Sequence, residues 1–148
     1  VVRFKPVGGR WGKMKKNLEQ KRAEYACDTV KKRLGDFGGE SKKRERYLTR
    51  AKSLPATIIM CGLGQTAATL LSVGKGKNDN PDQMLYEDLK NWICDNKEGG
   101  TYQEKDLIKA IVKNDRNKYI KAQAEALKLL EWLKKFATAY LSEEGGES

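Results

Sequence analysis

Residues 62–66, read Gly-Leu-Gly-Gln-Thr, are the clearest place in this sequence where backbone N–H groups could converge on a phosphate. They lie within residues 54–73, LPATIIMCGLGQTAATLLSV, a run of 20 positions without a charge. A phosphate loop needs several glycines and commonly a lysine. The pattern G-x-x-x-x-G-K-[ST] is absent, and no strand precedes the two glycines. Other chemistry is equally thin. The sequence has no histidine, which removes the commonest general base and zinc ligand together. Cys27, Cys61 and Cys94 are far apart, with no C-x-x-C pair, so no metal site is expected. Each cysteine has apolar neighbours, which fits free buried thiols in a reducing cytosol. Serines 41, 53, 72 and 142 have no histidine to activate them. Glu87 and Asp88 are helix neighbours that point to different faces, and Asp79 and Asp82 flank a helix start where the dipole favours acids. Neither catalysis nor a cofactor is expected from these residues.

Charge is the stronger signal. Residues 1–53 hold 17 Lys/Arg against 6 Asp/Glu, whereas residues 54–148 hold 13 against 14. The net charge of +10 therefore belongs to the first third of the chain. Such asymmetry points to a polyanion, nucleic acid before a membrane surface. The candidate RNA-binding residues are Lys15, Lys16, Lys21 and Arg22 in one cluster and Lys42, Lys43, Arg44, Arg46, Arg50 and Lys52 in another. If two antiparallel helices carry them, they form one stripe along a phosphate backbone. Few aromatics interleave, so contact with phosphates and little reading of sequence is expected.

The elements that must position these residues are helices. Residues 1–13 lack periodicity and read as a flexible leader, or an added extension before Met14, a plausible native start. Asn17 and Gln20 form a capping box for a first helix, in which Arg22 interrupts the apolar line of Leu18, Tyr25/Ala26, Val30 and Leu34. Gly35 and Gly38-Gly39 end it. A basic second helix begins near Ser41 and is expected to break or kink before Pro55. Asn80 and Pro81 start another, with Gln83 reaching back to the cap; it carries Leu85, Leu89, Trp92 and Ile93 and stops at Gly99-Gly100. Thr101 with Glu104 predicts a capping box for a short helix through Leu107 and Ile111. The last helix holds Tyr119, Ala122, Ala126, Leu129/Leu130, Leu133 and Phe136/Ala137 on one face, with Lys121, Glu125, Lys128, Glu131 and Lys135 on the other. Residues 143–148 read as a loose polar tail. No run alternates with period two. The expected fold is all-α, a single compact bundle of five to six helices over residues 14–142.

Residues 54–73 have the length to cross a bilayer, yet Pro55, Gly62, Gly64, Gln65 and the hydroxyl residues make insertion poor. The run is better read as a buried central helix. Gly62 and Gly64 then mark a tight crossing, and Gln65 lies at the seam with its amide satisfied.

Three segments in order, LEQKRAEYA (18–26), LPATIIMCGLGQT (54–66) and YIKAQAEALKLLEWLKKFATA (119–139), resemble the small helical subunit of the type III-B CRISPR effector, the Cmr complex. The resemblance implies a non-catalytic all-helical protein present in several copies; the cytoplasmic setting and the lack of a cofactor, metal or membrane contact are expected from the residues themselves. The resemblance also implies association with other Cmr subunits, self-association in a stacked array, and contact with guide and target RNA through phosphates. Gly62, Leu63, Gly64 and Gln65 fall on the family's central helix. Trp132 and Phe136 fall on its last helix, as core packing. An asparagine commonly stands where Cys61 is found, and an aromatic near Thr69. The competing reading is a stand-alone basic helical nucleic-acid-binding regulator. That reading requires a base-reading recognition helix, which does not stand out. A histidine-free nuclease is a third.

Overall fold

The side-chain oxygen of Asn17 accepts from the backbone of Gln20 at 2.7 Å, and Gln20 returns the bond at 2.9 Å, so the chain enters helix through the expected capping box. In this computed structural model, which describes residues 15–94, 98 and 100–142, six helices follow in order. They are α1 (Leu18–Phe37), α2 (Ser41–Cys61), α3 (Leu63–Gly74), α4 (Pro81–Ile93), α5 (Leu107–Lys113) and α6 (Arg116–Leu141). The fold is all-α; among the described residues the one β-like feature is an isolated bridge between Cys94 and Tyr102. The expected leader and tail lie outside the described residues.

α6 packs against both α1 and α2, while α4 packs against α2 and α3. Arg22 meets Glu125 and Lys31 lies over Tyr140, so α1 and α6 run the same way. Gly62 meets Tyr119, whereas Arg44 and Leu48 share a cleft with Leu141, so α2 runs against α6.

The helix breaks fall elsewhere than local propensity predicts. α2 passes through Pro55 and ends at Cys61. An interior proline costs about 3 kcal/mol in its missing hydrogen bond and ring clash. Here Leu54 and Ile58, on either side, are buried, and their packing holds the helix together. Gly62, with φ 89 and ψ 159, makes the corner between α2 and α3. That backbone region is essentially closed to other residues. The uncharged run is thus two helices, and the most enclosed element is α4. Ten of its 13 residues are buried, among them Asp82, Gln83 and Asp88.

The Thr101 capping box is replaced as well: α5 begins at Leu107 under an Asp106 cap. Thr101 and Tyr102 instead donate backbone bonds to Ile93 (2.9 and 3.1 Å), and the Tyr102 ring is buried. Burial of an aromatic outweighs a cap of about 1 kcal/mol. α4 stops at Ile93, before the glycines, and Gln83 bonds Gly76 N–H through its side chain at 3.0 Å, away from the cap.

Candidate nucleic-acid interface

Arg22 is the first of the candidate cations to be fixed by the fold. It stands on the apolar face of α1, and its guanidinium reaches α6, where Nε and Nη2 donate to the Glu125 carboxylate at 2.6 and 2.8 Å. Trp92 of α4 donates Nε1–H to the same carboxylate at 2.7 Å. Burial would lift the Glu125 carboxyl, but the bonds from Arg22 and Trp92 outweigh it and hold the group below its ordinary range. Glu125 therefore belongs to the α1–α6 seam and not to the outer charged face.

A second clasp lies in α4. Arg33 forks onto Asp88 at 3.0 and 2.6 Å, and the buried Tyr47 hydroxyl of α2 donates to the same carboxylate. Burial raises the Asp88 carboxyl, while Arg33 and Tyr47 pull it back down. In a third clasp, Arg46 and Arg50 of α2 both reach the buried Asp82, at 3.0–3.3 Å and 3.0 Å.

Of the ten candidates, six are therefore ion-paired with described carboxylates. Besides Arg22, Arg46 and Arg50, these are Lys16 with Glu24, Lys21 with Glu98, and Lys43 with Glu40 and Asp79. Arg44 is half-buried beside the α6 C-terminus. Lys15, Lys42 and Lys52 are exposed and make no ion pair among the described residues. Arg46 keeps almost half of its side chain exposed, and it shares a single carboxylate with Arg50, so that site keeps a net positive charge.

The two clusters do not merge into one stripe. The α1 cluster gathers around Trp92 and Glu98; of the α2 cluster, Lys43, Arg46 and Arg50 meet Asp79 and Asp82, whereas Arg44 and Lys52 line a cleft beside Leu141. Asp82 and Trp92 are ten residues apart on α4, about 15 Å along its axis. A cleft of about 570 Å³ brings Lys15, Lys16 and Lys21 together over Tyr25 and Trp92. Glu24, Asp28 and Glu98 line it too, so its formal charges balance.

The Gly-Leu-Gly-Gln-Thr segment is a helix start with two of its free donors already taken. Leu63 N–H donates to Gln123 Oε1 and Gly64 N–H to Tyr119 Oη, both at 2.9 Å. Two side chains of α6 thus fill the position a phosphate would occupy. Gln65 is exposed rather than seated in a seam, and Cys61 is exposed while Cys94 is buried. A Cβ on Gly64 would lie 3.5 Å from Tyr119 Oη, ordinary contact, so no tight crossing occurs there. The close approaches are at Gly62, as expected, where a Cβ would lie 2.9 Å from Tyr119 Oη, and at Gly74, where it would come within 2.7–2.8 Å of Gln83 Cβ and Cα. Trp132 and Phe136 are half-buried against the core, stacked with centroids 5.9 Å apart, and Trp132 Nε1 donates to Glu19 at 2.9 Å.

Sequence reasoning missed the two buried carboxylates, Asp82 and Asp88, and the half-buried Glu125. The usable signal was Arg22, because a cation on an apolar helix face requires a buried anion opposite it. Among the described residues no group of three or more His, Cys, Asp or Glu side chains could hold a metal, and no helix is long and apolar enough to cross a membrane. The site offers scattered surface cations on a helical support. A sequence model of the family described as CRISPR-associated protein (Cas_Cmr5) matches residues 18–140, which covers all six helices apart from the last residue of α6. The chain belongs to this family and is a subunit of the type III-B Cmr complex.

Proposed function

We propose that this chain is a non-catalytic structural subunit that stacks in several copies along the Cmr complex and meets the target RNA through its phosphates. The carrying observation is that Lys42 and Lys52 stay exposed on α2 after the internal ion pairs are assigned, and that Arg46 stays half-exposed beside Asp82. Lys15 adds a separate contact near the start of α1. Cations without a carboxylate partner release counterions from RNA, whereas those already paired do so weakly.

The test is the salt dependence of single-stranded RNA binding by the purified chain. Each lost phosphate contact reduces the logarithmic slope by about 0.7. Replacing Lys42 and Lys52 together by alanine should therefore flatten it by about 1.4 without altering helical content. An unchanged slope removes α2 from the RNA contact. Stacking is tested by the mass of complexes reconstituted with and without RNA; a fixed single copy per complex rejects it.

A further inference from the structure

Where α2 turns into α3 the surface carries no charge, in a protein whose residues are 34% charged. Ile59 and Met60 are 70% and 83% exposed, Cys61 and Gln65 are exposed, and Val112 and Ile120 are 77% and 54% exposed. The elements that carry these six meet at this corner. Ile59, Met60 and Cys61 lead into Gly62, which abuts Tyr119, the neighbour of Ile120. Gly64 abuts Ile111, the neighbour of Val112. Apolar side chains so exposed and so close together mark a docking surface more often than a solvent face.

We propose that this corner docks another protein subunit of the complex, of different sequence, presenting an apolar surface edged by carboxylates. The inference rests on the chain being an assembly subunit and does not depend on the RNA contact. Three observations select that occupant. The exposed side chains of the corner itself are largely apolar, which matches an apolar protein surface and not a phosphate backbone. Its edge is basic: Lys113 follows Val112 and is 74% exposed, with only Glu104 nearby at 3.9 Å, and the exposed Lys121 follows Ile120. Asp106 and Asp115, at the starts of α5 and α6, are engaged as helix caps. A second copy would be a poor match for this edge. It brings its own net charge of +10, and among its described carboxylates only Asp28, Glu45 and Glu131 make neither an ion pair nor a helix cap.

Cys61 provides the probe. A benzophenone maleimide attached there, in reconstituted complex, should on irradiation join this chain to a protein subunit of another sequence, identified by mass spectrometry. Attachment to a second copy, to RNA, or to nothing overturns the proposal. Met60→Glu and Val112→Glu each place a carboxylate at a largely exposed position, and each should lower incorporation into the complex on the order of tenfold or more. Both should leave the melting temperature and the RNA affinity of the isolated chain unchanged. Incorporation of both variants at the unmodified level also overturns the proposal, as does a dimer of the isolated chain that Met60→Glu dissolves. Loss of RNA contact in the Lys42/Lys52 variant with unchanged cross-linking separates the two readings.

Discussion

Replacing Gly62 by alanine should destabilise this protein more than replacing Gly64, although the two glycines stand two positions apart in one motif. At Gly62 the backbone has φ 89 and ψ 159, where a side chain costs about 1–3 kcal/mol. An added Cβ would also lie 2.9 Å from Tyr119 Oη and displace that hydroxyl from the N–H of Gly64. Losing that half-buried bond adds about 1 kcal/mol. The total is about 2–4 kcal/mol, a fall in Tm of roughly 6–15 °C for a domain of this size. At Gly64 the new methyl meets Tyr119 Oη at 3.5 Å and Ile111 at 3.7 Å inside a regular helix. The same substitution there should be neutral or stabilise by up to about 1 kcal/mol. Urea denaturation monitored by circular dichroism measures both differences. Tyr119→Phe removes the hydroxyl that Gly62→Ala collides with, so the double variant should lose less than the sum of the singles. If Gly62→Ala lies within about 0.5 kcal/mol of the parent, or if Gly64→Ala proves the worse, the corner is not built as described.

Three further outcomes follow from the packing. Gly74→Ala places a methyl 2.8 Å from the Gln83 Cα, a backbone atom that cannot swing aside, and should cost about 2 kcal/mol or more in urea denaturation. Arg22→Met strands the Glu125 carboxylate and should cost about 3–5 kcal/mol, whereas Arg22→Met with Glu125→Leu should recover most of that loss in a double-mutant cycle. The Glu125 carboxyl is depressed in the folded state, so its contribution is complete above its ordinary value of 4.5 and is lost as pH falls through the folded value. The stability gap between the parent and Glu125→Gln should therefore close on acidification below about pH 4.5, measured by denaturation at a series of pH values. Asp88, raised by burial, titrates in the opposite sense and is present in both proteins, so it cancels from that gap.

Much of this fold was legible because its signals are local. Asn17 with Gln20 and Asn80 with Pro81 are complete helix starts within four residues, and the 3.6-residue period of α6 needs no partner to be recognised. What escaped depends on tertiary contact. Pro55 reads as a stop until Leu54 and Ile58 are known to be buried beside it. Gly62 reads as a helix interior until Tyr119 and Gln123 arrive from more than 50 residues away to take the freed N–H groups. Hydropathy named residues 54–73 as the inner rod, but the most enclosed helix, α4, carries Asp82 and Asp88. Each of those acids is admitted to the interior by an arginine or tyrosine from α1 or α2, and no window around α4 alone contains that information.

The placement of those pairs changes what the one-sided charge means. Each clasp ties a cation of α1 or α2 to a carboxylate of α4 or α6, across separations of 103 residues for Arg22–Glu125, 55 for Arg33–Asp88 and 36 for Arg46–Asp82. A buried ion pair adds little net stability over a well-packed apolar pair, yet a helix shifted by one turn would leave the enclosed carboxylates without partners. The clasps therefore act against misregister in a bundle whose helices present similar Leu- and Ala-rich faces. The same contacts draw positive charge inward from the first third of the chain, so net charge overstates the electrostatic footprint available to RNA. A protein with this arrangement should bind isolated RNA weakly and owe its place in the complex to protein contacts such as the charge-free corner. Strong RNA binding by the isolated chain, persisting after Lys15, Lys42 and Lys52 are replaced, would move the contact to other exposed cations such as Lys121 and Lys135, or require the clasps to open.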